Sequence, residues 1–399
     1  MSWYNPFSWG GFGFFQNSEL PDTVYELSSG GSNSSTSVTP ATAMQSPVIW
    51  SAVTLISGTM STLPFKLYTD SGETREEVKK TFIMDRPNKL MSMSSFIESA
   101  MIWGILEGNF YAVITRNSQG QVIALTPVDG QTVTPLIEDG DLIYKVKLQD
   151  GKTTLVSPEY MIHFKFFSQD GYVGLRFVDY LSQTIGNANK ARDYSSAFLD
   201  NGGFSGGLVI FDKILTEEQR AQVKKRFQNI KQEGVKDISK LVVLEGDPKF
   251  VPRSTSNKDA QLLDSREFDD FSIAGALKIP PHMVGLVSKT TSWGTGIEQQ
   301  NIAFVTYCLR YYANKIEDEM NHKLFKGEDY KCEFVFNGLL RGDSASRADY
   351  YKAALGGSGG SGWMTTNEVR KLENMAPIEG GNTITQWEQN ANEQSTATD

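Results

Sequence analysis

Residues 277–325 read LKIPPHMVGLVSKTTSWGTGIEQQNIAFVTYCLRYYANKIEDEMNHKLF. The stretch ends one helical pattern, breaks at Ile279-Pro280-Pro281 and crosses a polar loop at Ser288–Gly296. From Ile297 to Phe325 it then holds neither proline nor glycine. Ile302, Val305, Leu309, Tyr312, Ile316, Met320 and Leu324 recur at three and four residues, the spacing of one helix face. A helix is therefore expected over about 298–325, about 40 Å long at 1.5 Å per residue.

Working back from this helix, residues 260–277 predict a second helix that stops at the two prolines. Before it lies a compact unit. Leu208–Ile210 reads as a short strand, and Thr216-Glu217-Glu218-Gln219 is a capping box that opens a helix running to about Gln232. Leu241–Leu244 and Phe250-Val251 are two further strands, so about 205–254 forms a small α/β insert. A helical block at about Leu175–Asp200 precedes it and ends at Asn201-Gly202-Gly203.

Further back the period is two. Phe110–Thr115, Val122–Leu125, Thr132–Ile137, Leu142–Leu148 and Tyr160–Phe166 predict an antiparallel meander with turns at Gly120, Asp139-Gly140 and Asp150-Gly151. Two helices precede it. One starts at Pro47 and ends at Leu63-Pro64, with Phe65–Tyr68 as the strand after it. The other spans about Ser94–Glu107, with Ser94 or Ser95 as its cap. Residues 1–45 are rich in Trp, Phe, Gly and Ser without a hydrophobic period, and a mobile segment is expected there, with order beginning at about Ser46. After the long helix come a strand at Cys332–Phe336, a helix at Ala345–Leu355, a glycine-rich hinge at Gly356–Gly362, a helix at Thr366–Glu373 and a polar tail.

Composition limits the chemistry. The 399 residues include only 3 His and 2 Cys, which excludes zinc-finger arrays and disulfide scaffolds. Cys308 and Cys332 read as buried or free thiols. His163 sits in an alternating strand and reads as a hydrogen-bonded strand residue, His282 as a turn residue. No phosphate loop, dinucleotide fingerprint or serine elbow is present. Asp269-Asp270 and Glu317–Glu319 lie on helices and read as solvated faces. Arg341-Gly342-Asp343 reads as a turn after a strand. No catalytic, metal or cofactor site is expected, and a binding or assembly role is favoured over catalysis. No apolar run reaches the roughly 18 residues of a membrane span. Met1–Phe15 lacks the basic start of a signal peptide, so a cytoplasm-like compartment is expected.

The charge is acidic, with Lys+Arg 38 against Asp+Glu 47, a formal net charge of −9. Such a chain is poorly suited to gripping duplex DNA by phosphate neutralisation. The charge is uneven, however. Residues 184–258 carry 13 basic and 9 acidic side chains, a local +4, and leave −13 to the remainder.

Five local blocks occur in an order that carries a resemblance. They are Val53–Leu67; Arg86-Pro87-Asn88 with Glu107-Gly108-Asn109-Phe110-Tyr111; Leu277–Gly285; Glu298-Gln299-Gln300-Asn301; and Thr365-Thr366-Asn367-Glu368-Val369-Arg370. Together they resemble the portal proteins of tailed double-stranded-DNA bacteriophages, in the shorter form typical of long-tailed, siphovirus-type phages. One departure is Gly171–Leu175, where many relatives carry Ser-Pro.

The resemblance implies an α+β portal fold assembled as a ring, usually of twelve subunits, at one capsid vertex. Its parts map here as wing (46–175 and 298–339), stem (176–204 and 255–285), clip (205–254), tunnel loop (286–297) and helical crown (340–385), with a tail at 386–399. It implies a channel for genome packaging by the terminase large subunit and for ejection. The implied partners are major capsid and scaffold proteins, head–tail adaptor or neck proteins, and the passing duplex. No cofactor or membrane is implied, and the place is the virion after assembly in host cytoplasm. Lys289, Thr290, Thr291, Ser292 and Trp293 would be the tunnel loop facing DNA. Lys190, Arg192, Lys224, Lys225 and Arg226 would contact DNA or terminase. Another head component, such as a minor capsid protein, and a hydrolase with an unrecognised site remain the alternatives.

Overall fold

The computed structural model describes residues 15–16, 25–26, 38–70, 75–78, 82–138, 140–148, 150–200, 207–210, 216–219, 221–222, 249–252, 267–286, 294–327, 329–340, 344–357, 361–373 and 375–384. In chain order the first elements are β1 (Phe15–Gln16), β2 (Tyr25–Glu26), α1 (Pro40–Ala43), α2 (Pro47–Thr62), β3 (Phe65–Asp70), β4 (Arg75–Glu77), α3 (Phe82–Asp85) and α4 (Met93–Glu107). Six strands follow, β5 (Asn109–Arg116), β6 (Val122–Val128), β7 (Val133–Glu138), β8 (Asp141–Lys147), β9 (Thr153–Val156) and β10 (Met161–Lys165). Then come α5 (Phe177–Tyr180), α6 (Ser182–Asp200), β11 (Gly207–Ile210), β12 (Lys249–Pro252) and α7 at 267–276. The rest is α8 (Gly294–Phe304), a π-helical turn (Val305–Leu309), α9 (Arg310–Leu324), β13 (Tyr330–Phe334), α10 (Asn337–Leu340), α11 (Ser344–Ala354) and α12 (Thr366–Leu372).

The chain divides into two compact units. One comprises 1–291 and 306–334, the other 292–305 and 335–399. In the first, α2 and α4 bury Ile49, Ala52, Val53, Ile56 and Met60 against Phe96, Ile97, Ala100, Met101 and Ile105. Strand β5 is buried along Asn109–Ile114, on both faces. Its even positions serve the helical side, where Phe110 meets Phe96 edge-on at 5.3 Å and stacks on Phe164 at 5.6 Å. Its odd positions, Tyr111 and Val113, pack with Met161 against Val133, Tyr144, Val146 and Val156. A strand covered on both sides needs a continuous apolar run, and Phe110–Ile114 supplies one.

The strands do not form the single meander expected from their period. Strand β10 returns to pair with β5, giving the order β10-β5-β6. Strands β7, β8 and β9 form the centre of a separate five-stranded sheet, β1-β9-β8-β7-β2. Two sheets facing each other bury both apolar sets, which one flat meander would leave half in water. The third sheet, β13-β3-β4, places Phe65 opposite Phe334 with ring centroids 4.5 Å apart. In the insert, β11 pairs with β12. The Thr216–Gln219 capping box forms, with the Thr216 amide donating to Gln219 Oε1 at 3.1 Å. Leu241–Leu244 lies outside the described residues.

Four further expectations are corrected. Order begins before Ser46, because Thr39 and Thr42 cap each other reciprocally at α1 and Ala43 is fully buried. Two dipeptides of the segment expected to be mobile, β1 and β2, pair in a sheet. The cap of α4 is Ser92, whose side chain accepts the Ser95 amide at 3.2 Å, rather than Ser94 or Ser95. The long helical stretch starts at Gly294 and is interrupted by the π turn.

In the second unit, α11 ends in a turn where the Trp363 amide donates to Ala354 O at 2.9 Å. Thr365 and Glu368 form a capping box on α12. Asn367 holds the following chain, accepting the Ile378 amide at 2.8 Å and donating to Ile378 O at 3.0 Å. Arg370 Nε donates to Ala376 O at 2.7 Å. The Asn-Glu-x-Arg block is thus three side chains that each fasten backbone.

Candidate DNA-channel and assembly sites

The sequence blocks singled out above become backbone junctions. Asn88 Nδ2 donates to Leu125 O at 2.8 Å, and its Oδ1 accepts the amides of Leu90 and Met91. With Leu125 N–H on Pro87 O at 2.6 Å, the Pro-Asn pair fixes strand β6 to the segment between α3 and α4.

Gly108 caps α4 in the left-handed region at φ 74°, and a Cβ there would overlap the Leu175 carbonyl. Gly174 faces it, and its own Cβ would overlap Gly108 O. Only two glycines let these segments cross so closely.

Asn109, buried beside them, uses its whole carboxamide. Nδ2 donates to Gly174 O at 2.9 Å and Glu107 O at 3.1 Å. Oδ1 accepts Gly174 N–H at 2.7 Å and faces His163 Nε2 at 2.9 Å. Because Oδ1 is an acceptor, Nε2 carries the imidazole proton, and Nδ1 accepts from the Tyr144 hydroxyl at 3.2 Å. Tyr111 stacks on the ring with centroids 4.3 Å apart. Burial, with the charges of Lys165 and Lys323, holds His163 well below its ordinary pKa. It is a neutral structural histidine, as its strand position suggested. Nothing in this network presents a nucleophile to solvent.

The carboxylates of α9 differ from expectation. Glu317 accepts the Phe334 amide at 2.7 Å and Glu319 the His163 amide at 3.2 Å. They clamp strands rather than forming a solvated face. Burial is the main cause that raises the Glu317 pKa, with Glu333 and Asp318 adding to it. At the end of α9, Lys323 Nζ donates to Pro158 O at 2.8 Å and Arg116 Nη2 to Lys323 O at 2.9 Å. An open pocket of about 270 Å³ lies here, lined by Arg116, Glu159, Tyr160, His322, Lys323, Leu324 and Lys326. Its cations sit at a helix C-terminus, where the backbone carbonyls attract them. Cys308 and Cys332 are both free thiols and buried. Among the described residues no cluster of His, Cys, Asp and Glu could hold a metal, and no helix is long and apolar enough to cross a membrane.

The expected contact residues fare unevenly. Lys190 is exposed on α6. Arg192 is half-buried two residues on, and its Nη1 donates to Gln45 O at 3.0 Å, which ties α6 to the chain before α2. Lys224, Lys225 and Arg226, and the loop Lys289, Thr290, Thr291, Ser292 and Trp293, lie outside the described residues. So does Arg341-Gly342-Asp343. The residues that sequence reading missed are Asn109, Tyr144 and Glu319 as partners of His163. The Gly-Asn block was a signal for the first of them.

Residues 47–374 match the family model described as phage portal protein. The portal protein of Enterobacteria phage HK97 is 34% identical over 348 residues, covering 85% of this chain and 80% of that protein. The probable portal protein of Streptomyces phage phiC31 is 27% identical over 375 residues, covering 90% and 80%. Among solved structures, the neck of an empty gene transfer agent particle, computed with C6 symmetry, aligns with a TM-score of 0.59 at 20% identity, covering 85% of this chain and 94% of that one. An HK97-family phage portal protein from Corynebacterium diphtheriae aligns with a TM-score of 0.58 at 14% identity, covering 77% and 98%. A family match across most of the chain, on an α+β fold, leaves one assignment: the chain belongs to the phage portal protein family.

Proposed function

We propose that this chain closes into a homomeric ring at one capsid vertex and forms the conduit for double-stranded DNA. The observation that carries this reading is the family match over residues 47–374. Solved relatives of the fold described with C6 and C12 symmetry support a ring. In this reading 46–175 and 298–339 form the wing, 176–204 and 255–285 the stem, 205–254 the clip, 286–297 the tunnel loop and 340–385 the crown. The clip faces out of the capsid and docks the terminase large subunit and the head–tail adaptor proteins. The chain works as a virion component, without a cofactor or a reaction of its own.

The charge pattern suits this role. A conduit must let phosphates slide, and a uniformly basic lining would hold them through counterion release. A net charge of −9, with a local excess of basic residues at 184–258, avoids that. Lys289, Thr290, Thr291, Ser292 and Trp293 are the residues proposed to narrow the channel. Lys190, Lys224, Lys225 and Arg226 are proposed to meet DNA or terminase. Arg192 has a smaller share, since part of its guanidinium already holds Gln45.

Electron microscopy of the purified protein tests the ring. Closed rings with a hole of about 20–40 Å, wide enough for a duplex whose major groove alone spans about 12 Å, are expected. A strictly monomeric particle would reject the reading. Charge reversal by K190E with K224E, K225E and R226E should leave rings intact and lower DNA packaging. Unchanged packaging removes those residues from the contact.

A further inference from the structure

Among the described residues, Phe167 at φ 51° and Lys278 at φ 57° are the non-glycine residues in the left-handed backbone region. Side chains are strained there, and a bulky residue persists only where surrounding contacts over-determine it. Both positions are backbone corners. Phe167 follows β10 on the way to α5 and α6. Lys278 sits just past α7 in a turn where the Lys278 amide donates to Gly275 O and the Ile279 amide to Ala274 O, each at 3.0 Å. That is the helix-ending arrangement in which glycine is the usual occupant.

The two strained corners meet on one side chain. The Phe167 amide donates to the Tyr311 hydroxyl at 2.7 Å, and the two rings stack at 5.0 Å. Lys278 Nζ lies 5.8 Å from the centre of the same ring. One turn earlier, Cys308 Sγ donates to Leu277 O at 3.4 Å. The next residue, Tyr312, is fully buried and touches Phe166 edge-on at 5.2 Å. Tyr311 stands just after the π turn at Val305–Leu309, itself a rare and locally unfavourable form of helix. Glycine would relieve the backbone at 167 and at 278, but glycine would contribute neither the stacked ring nor the ammonium.

We propose that Phe167, Lys278 and Tyr311 form a strained latch that couples the two helix junctions to α9. When latched, Tyr311 holds both corners in the left-handed region. When released, the ring leaves and both corners relax to ordinary backbone angles. Loosening either corner therefore loosens the other, since both draw on the same ring and such coupling is reciprocal. Its use in a DNA conduit, letting stem and long helix change pose together, rests on the portal reading; the latch itself does not.

Hydrogen exchange followed by mass spectrometry on the full chain tests the coupling. Y311F removes the acceptor of the Phe167 amide and keeps the ring. K278M removes the cation, and K278G also removes the backbone strain at 278. Y311F should speed exchange in a peptide around Phe167 by about tenfold, and also at the Lys278 and Ile279 amides, which the hydroxyl does not touch. K278M should speed exchange around Phe167, and K278G should do so less, since it loses the same cation but relieves the strain that favours release. The peptide from α2 should keep its wild-type rate in all three variants, which marks the effect as local. Wild-type exchange at the remote corner, in either direction, overturns the latch. Equal acceleration in α2 overturns it too, because that is general destabilisation.

Discussion

The Asn109 carboxamide and the His163 imidazole face each other at 2.9 Å in the buried interior, and each fixes the other's chemistry. Asn109 presents oxygen because Gly174 N–H requires an acceptor, and His163 is therefore an Nε2–H tautomer with Nδ1 turned to Tyr144. Replacing Asn109 by Leu leaves the Gly174 amide and the His163 N–H without their acceptor. A loss of about 3 kcal/mol in a urea unfolding experiment is expected, since each buried unpaired group costs about 1–3 kcal/mol. A loss under about 1 kcal/mol would mean that water replaces the side chain.

The same site sets a pH dependence. Burial keeps His163 neutral in the fold, whereas in the unfolded chain it titrates near its ordinary value of 6.5. The folded pKa is the lower one, so the stabilisation is fully present above about pH 6.5. It declines as the pH falls through and below that value, with a slope of up to about 1.4 kcal/mol per pH unit. Unfolding midpoints of wild type and His163→Gln should therefore converge as the pH drops from 7.5 to 5.5. Parallel curves would show that the imidazole is not the group responsible.

Crowding at the Gly108–Gly174 crossing can be separated from backbone strain. Gly174→Ala places a methyl group against Gly108 O and within 2.8 Å of Phe166 O, all of it backbone that cannot rotate away. The expected cost is about 3 kcal/mol, the upper end for overpacking. Gly140→Ala meets nothing within 4 Å, though its φ is 91°. It should cost about 1 kcal/mol, from the dihedral alone. Thermal melts of the two variants give the comparison, and equal shifts would contradict the steric account.

The thiols should be chemically silent. Burial pushes the Cys308 thiol up to about 12, with Lys278 opposing the shift, and raises Cys332 as well. The thiolate is the reactive form. A maleimide reagent at pH 7 should label neither cysteine in the native protein and both in guanidinium. Rapid native labelling would show that the packing around α9 opens.

Much of this architecture is legible in the amino-acid order, and the misses have physical causes. Strand-like runs located β5 to β8 and β10; β8 alternates because it is half-covered, whereas β5 is covered on both faces and reads as a nearly unbroken apolar run. The same runs could not say which strand joins which sheet, since β10 pairs with a partner about fifty residues away and both sheets share one period. Glu317 and Glu319 looked like a solvated face because charge usually is one; what turns them inward is the row of strand amides beside them. The π turn left a trace in hindsight. Buried Phe304, Cys308, Tyr312, Ile316, Met320 and Leu324 repeat at strict intervals of four. In an α-helix of 3.6 residues per turn that stripe drifts by about 40° per step, and a wider turn takes back part of the drift. Of the site residues, Lys190 and Arg192 were placed on the right helix, but a surface role and a backbone tie look alike until Gln45 is seen beside the guanidinium.

The five-stranded sheet carries β1 on one flank and β2 on the other, so each edge strand of its ladder pairs over only two residues. An open ladder is a template for uncontrolled polymerisation. In the proposed ring, this sheet offers neighbouring copies only a short edge on which to add a strand. At that sheet the copies of such a ring would recognise one another through side chains, whose geometry can specify a closed assembly of fixed size.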